Sequence, residues 1–145
     1  MDEIDIRVVD TEREREDVFE VRQDVFVAEQ GVDEDLEYDE HEETATHFVA
    51  YDADEPIGAA RLREPKDGVG KVERVAVLES RREDGIGRAV MNAVEERARA
   101  RGLESLTLHS QTRAAGFYRR LGYERYGEEF EEAEIPHVEM RKSLA

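Results

Sequence analysis

Gly85 and Gly87 stand in the run Arg82-Glu83-Asp84-Gly85-Ile86-Gly87-Arg88, between an apolar segment and a helical one. Glycine lets a backbone approach a ligand closely, and the first N–H groups of a helix are unpaired at the positive end of its dipole. The chemistry that this turn suits is the binding of an anion such as a pyrophosphate. A Gly-x-Gly after a strand is as often a plain tight turn, so the pattern alone leaves both readings open. It is not the dinucleotide fingerprint, because Val90 stands where a third glycine belongs, and it lacks the Gly-Lys-Ser/Thr of a P-loop. The chain has no cysteine, which excludes disulfides, thiolate metal sites and a cysteinyl acyl-enzyme. His41, His47, His109 and His137 lack ligand spacing, so no metal is expected.

The elements that must position this turn follow from hydropathy. Residues 72–78 alternate and then run apolar, as a largely buried strand does, and lead straight into the turn. Ile86, Ala89, Val90, Ala93 and Val94 repeat on one helix face, Arg97, Arg99 and Arg101 place cations in its last turns, and Gly102 suits its C-terminal cap. Upstream, residues 4–9 read as a strand, and Thr11 with Glu14 as a capping box opening a helix that carries Val18, Val21 and Val25 to the neighbourhood of Glu29. Residues 31–43 are acidic and poor in aliphatics, which predicts a loop or frayed helix bordering a substrate site. Residues 47–51 and 57–62 form a hairpin around a turn at 52–56, and residues 106–109 a short strand. Residues 114–121 then predict a helix closed by Gly122, followed by strands from Tyr123 and after Pro136. The order β-α-(α)-β-β-β-α-β-α-β-β implies a mixed sheet flanked by helices in one domain spanning residues 1–145.

Composition narrows the partners. Thirty-eight acidic residues against 21 basic ones give a formal charge of −17, which repels nucleic acid. Lys66, Lys71 and Lys142 are the only lysines, and carboxylates recur in every segment, as in proteins of salt-loving organisms. Solvation in salt is therefore the expected role of the acidity. No stretch approaches the roughly 20 apolar residues of a membrane helix, and the first five residues lack a secretory pattern, so a cytoplasmic protein is expected.

The turn at 82–88 resembles the pyrophosphate turn Gln/Arg-x-x-Gly-x-Gly/Ala of the GNAT superfamily of N-acetyltransferases. Residues 73–77 are similar to that family's fourth strand, and Gln111 through Tyr123 resemble its Ala-x-x-Phe-Tyr-x-x-x-Gly-Phe element. Val25-Phe26-Val27-Ala28-Glu29-Gln30 and Ile135-Pro136-His137-Val138-Glu139-Met140 resemble the ElaA-like branch. The resemblance implies a mostly antiparallel α/β (α+β) sheet of about seven strands, its fourth and fifth strands splayed around acetyl-CoA. It also implies direct acetyl transfer to a small primary amine or a protein amino group, and a possible homodimer. An acetyl-CoA-binding regulatory module without turnover is the alternative.

On that resemblance, the backbone of Val75, Ala76 and Val77 holds pantetheine and polarises the acetyl carbonyl, while Arg82, Glu83, Asp84, Gly85, Ile86, Gly87 and Arg88 hold the pyrophosphate. Gln111 either bonds pantetheine or caps the next helix. Tyr118 matches the tyrosine that protonates the departing thiolate. Direct transfer also needs a base, because deprotonating an alkylamine at pH 7 costs roughly 4 to 5 kcal/mol. Glu73, Glu29 and His137 are candidates, with Glu73 and His137 ranked first; an imidazole suits proton transfer near neutrality.

Overall fold

The computed structural model describes residues 4–144; residues 1–3, on which part of the secretory expectation rests, and Ala145 lie outside the described residues. Among the described residues seven strands, β1 (Ile4–Val8), β2 (Thr46–Asp52), β3 (Glu55–Lys66), β4 (Val69–Val77), β5 (Ser105–Gln111), β6 (Glu124–Glu132) and β7 (Ile135–Ser143), form one sheet. Its order is β1-β2-β3-β4-β5-β7-β6. All neighbours are antiparallel except β4 and β5, which are parallel and joined by a helical crossover. The helices are α1 (Glu12–Arg22), α2 (Glu34–Glu37), α3 (Ile86–Ala100) and α4 (Ala115–Arg120).

Strand alternation sorts side chains onto two faces. Phe48 and Ala50 of β2 pack with Ile86, Val90, Met91 and Val94 of α3, whereas Val49 and Tyr51 pack with Val18 and Val21 of α1. The capping box is present: Thr11 Oγ1 accepts from the Glu14 amide, and a Glu14 carboxylate oxygen accepts from the Thr11 amide, both at 3.1 Å. Beyond Arg22 the predicted helix continues, but from Gln23 to Glu29 it widens into a π-helix, a rare form that gathers at functional sites.

Alternation fails in β4, for a physical reason. Ala59 pairs with Ala76 and Arg61 with Glu73, so Arg74 and Val75 together oppose the single residue Ala60. This β-bulge flips the strand: Val72 faces the α3 core, whereas Ala76, which would otherwise share that face, packs with α1. Arg74 takes φ +57°, an uncommon conformation for a non-glycine residue. Its guanidinium is tied to Glu37 at 3.0 Å and Asp39 at 3.3 Å, which holds the bulge in place.

Those ties correct the view of the acidic segment as solvated. Glu37 and Glu42 are buried, as are Arg22 and Arg61. Arg22 pairs with Glu37 at 2.6 Å and Glu42 at 2.7 Å; Arg61 pairs with Asp39 and Glu73, both at 2.7 Å. Removing one partner of a buried pair strands the other. Arg22→Met, which preserves much of the apolar volume, should lower the unfolding free energy by about 3 kcal/mol in urea titrations. A loss under about 0.5 kcal/mol, the range of ordinary surface changes, would mean that these pairs do not hold the segment.

Candidate active site

The parallel pair is incomplete. Val69–Val72 pair with Ser105–Leu108, and beyond that point β4 runs on to Val77 and β5 to Gln111 without pairing to each other. The parting opens a cleft of about 750 Å³, bordered by Val75 and Val77 on one side, Ser110 and Gln111 on the other, and Phe26 and Tyr118 above and below. Strand edges facing such a gap present backbone donors and acceptors to an extended ligand.

At the far end of β4 the chain turns through Gly85, with φ +77°, directly into α3, whose N-terminus has no side-chain cap. A Cβ at Gly85 would meet nothing within 4 Å, so the approach to the helix amides is open. Gly87 serves packing as well: a Cβ there would lie 3.1 Å from the Phe117 ring, so its absence lets α4 sit against the turn. The two arginines of the turn differ. Arg88 is exposed and has no ion pair among the described residues, whereas Arg82 pairs with both Glu29 oxygens at 2.6 Å and donates from Nε to the Val77 carbonyl at 3.0 Å. Arg82 and Glu29 thus hold each other, and the Val77 carbonyl is already engaged. Glu83 is exposed and Asp84 pairs with Arg81, while the Ile86 and Ala76 side chains lie in the core and Ala76 pairs with Ala59 of β3, so of the two only Ile86, at the start of α3, has a backbone amide open to a ligand.

Tyr118 is buried, with edge contacts to the Phe117 and Tyr123 rings, and it lines the cleft. Its hydroxyl makes no hydrogen bond among the described residues, and burial holds its pKa well above that of an ordinary tyrosine. It therefore stays protonated at neutral pH. Gln111 does not cap the following turn; its amide donates to Gln30 at 2.8 Å and its oxygen accepts from Arg113 at 2.9 Å, linking β5 to the residue that ends the π-helix.

The three base candidates are in different states. Glu73 faces Arg61 and Arg63 at 2.7 Å and Lys71 at 3.4 Å, and despite burial these cations lower its pKa to about 2. A carboxylate so stabilised is a poor proton acceptor, and its evident work is to organise cations. Glu29, paired with Arg82, is likewise held below the usual carboxylate range. His137 lines the same cleft, and its Nδ1 lies 2.6 Å from the Ile135 carbonyl. A carbonyl only accepts, so Nδ1 carries hydrogen and the neutral ring leaves Nε2 as acceptor. Glu132, which sequence reasoning missed, lies 3.8 Å from that Nε2 and accepts from His109 Nδ1 at 2.9 Å. The available signal was alternation: with Leu106 and Leu108 in the core, His109 must face the other way, on the face that register gives His137.

The chain has matches among known proteins. A family model described as "Acetyltransferase (GNAT) domain" matches residues 9–144. The uncharacterized N-acetyltransferase YjcF of Bacillus subtilis is 43% identical over 136 residues, covering 93% of this chain and 96% of that protein. A crystal structure from Lactobacillus plantarum, assigned as an N-acetyltransferase, superposes with TM-score 0.92 at 31% identity over 98% of this chain and 99% of the other. Escherichia coli ElaA superposes with TM-score 0.78 at 23% identity over 98% and 99%, a likeness of fold alone.

Proposed function

Because this chain belongs to the GNAT family of acetyltransferases, and is on that footing an acyltransferase, we propose that it moves an acetyl group from acetyl-CoA directly to a primary amine. The parting of β4 from β5 beyond Val72 and Leu108, ending at the uncapped N-terminus of α3, is the observation that carries the reading. Acetyl-CoA supplies an activated thioester. The amides at residues 85–88, with Arg88, hold its pyrophosphate, and the β4 edge around Val75 holds its pantetheine. Arg82 positions the turn through Glu29 and the Val77 carbonyl instead of meeting the phosphates first.

Tyr118 supplies the proton to the departing thiolate, since it is protonated and lines the cleft. His137 accepts the amine proton at Nε2, its ring fixed by the Ile135 carbonyl and its positive charge met by Glu132. His137→Gln should lower kcat/KM by about 100-fold while acetyl-CoA affinity stays unchanged, because glutamine cannot take up the proton. An unchanged kcat/KM would assign the base elsewhere. The reading as a whole is tested by free-thiol release from acetyl-CoA with and without amines. Amine-dependent release is expected; binding without release with any amine would make the protein an acetyl-CoA-binding module.

Among the described residues no helix is long and apolar enough to cross a membrane. We place the enzyme in the cytoplasm and assign its surface carboxylates to solubility in salt. Counterions should relieve self-repulsion at a charge of −17, while the buried pairs under α2 are little screened. The unfolding midpoint should rise between dilute buffer and molar potassium chloride. A flat or falling midpoint would remove the halophilic reading.

A further inference from the structure

The half of the cleft away from the glycine turn contradicts the overall charge of the chain. On the sheet face beneath α2, Arg61 and Arg63 of β3 sit opposite Glu73 and Lys71 of β4, and Lys71 sits opposite Thr107 of β5. One carboxylate, Glu73, therefore serves three cations. The connected network counts five cations (Arg22, Arg61, Arg63, Lys71, Arg74) against four carboxylates (Glu37, Asp39, Glu42, Glu73), one positive charge in excess within a chain of −17.

Of the three network cations that line the cleft, Arg74 is matched by Glu37 and Asp39, and the excess falls on Arg63 and Lys71. Lys71 makes no hydrogen bond among the described residues; its closest carboxylate oxygen is 3.4 Å away, on a Glu73 already bonded by Arg61 and Arg63. Arg63 donates to Glu73 through Nε at 2.7 Å and Nη2 at 3.4 Å, leaving Nη1 unbonded among the described residues. Both side chains are only about one-fifth exposed. Of the neighbouring anions, Glu132 accepts from His109 and feels the Lys71 charge without forming an ion pair with it among the described residues, and Glu139 accepts from Thr107 and Arg141. An ammonium and a guanidinium edge shielded from water, without acceptors, favour an incoming oxyanion and reject a second cation.

We propose that the acceptor amine carries a carboxylate, docked between Arg63 and Lys71, with its amino group directed toward Tyr118 and His137. The proposal rests on the acetyltransferase reading and narrows its acceptor to amino acids and ω-amino acids, against polyamines. The guanidinium edge suits the planar carboxylate. Lys71 and Val75 are four residues apart on β4, at most roughly 13 Å and less across the Arg74 bulge, so an acceptor with several bonds between its two ends spans the distance better than glycine.

The test separates docking from turnover. Glycine, 4-aminobutyrate and 6-aminohexanoate, the amide of each, 3-aminopropylphosphonate and spermidine are titrated calorimetrically into the protein saturated with coenzyme A, and assayed for thiol release from acetyl-CoA. At least one acid should exceed its own amide by tenfold or more in affinity and in kcat/KM. Lys71→Met should erase that preference without changing acetyl-CoA affinity, and Lys71→Arg should restore most of it. Acids and amides bound equally, spermidine preferred, the phosphonate preferred over every carboxylate, or no binding by any member would each overturn the proposal. If the acids bind in the predicted order but acetyl-CoA does not bind, the carboxylate site stands and the acetyltransferase reading falls.

Discussion

Tyr118→Phe should lower kcat by about 10²- to 10⁴-fold, the usual contribution of a general acid, while acetyl-CoA affinity stays within twofold of the wild type. The substitution removes one oxygen and keeps the ring, so the edge contacts with Phe117 and Tyr123 survive. The hydroxyl makes no protein hydrogen bond among the described residues, and its loss therefore strands no partner. Burial disfavours the phenolate and keeps the donor charged with its proton throughout the working pH range. Single-turnover rates, with chemistry limiting, and calorimetric affinity measure the two quantities separately. Wild-type kcat in the variant would reduce Tyr118 to a packing residue of the α4 core.

Gly85→Asp should weaken acetyl-CoA binding by at least about a thousandfold, some 4 kcal/mol, in a protein that still folds. The αL conformation at Gly85 costs a side chain about 1–2 kcal/mol, and aspartate is among the residues that tolerate it best. Its Cβ would enter open space. An aspartate at this position sets a carboxylate beside the amides that the pyrophosphate requires and repels the anion. Gly85→Ala carries the backbone strain without the carboxylate and should lose tenfold or less. Native circular dichroism with collapsed affinity in the aspartate variant alone would locate the anion site. Equal affinity in all three proteins would move it.

The element order was legible because each element carries its own local signal: the Thr11–Glu14 box, the apolar stripe of Ile86, Val90 and Val94, and glycine at 102 with φ +78° beyond the end of α3. Gly85 was readable in the same way, since only a turn into a helix explains its neighbours. The β4 bulge was not, because its extra residue is Arg74, whose left-handed backbone is held by Glu37 and Asp39 from far along the chain and not by a glycine of its own. Carboxylates in the segment at 31–43 looked solvated for the same reason: their partners Arg22, Arg61 and Arg74 lie on three other elements. Arg82 illustrates the limit within the site itself. Its place in the turn suggests a phosphate contact, yet Glu29, 53 residues earlier, reaches it across the cleft on a π-helix that hydropathy reads as ordinary α-helix.

A crystal structure grown with acetyl-CoA tests the central claim most directly. The pyrophosphate should lie within hydrogen-bond reach, roughly 3 Å, of the amides at residues 85–88, with pantetheine between β4 and β5 beyond Val72 and the thioester sulfur beside the Tyr118 hydroxyl. Acetyl-CoA bound outside the β4–β5 parting, or with its sulfur away from Tyr118, would contradict the account.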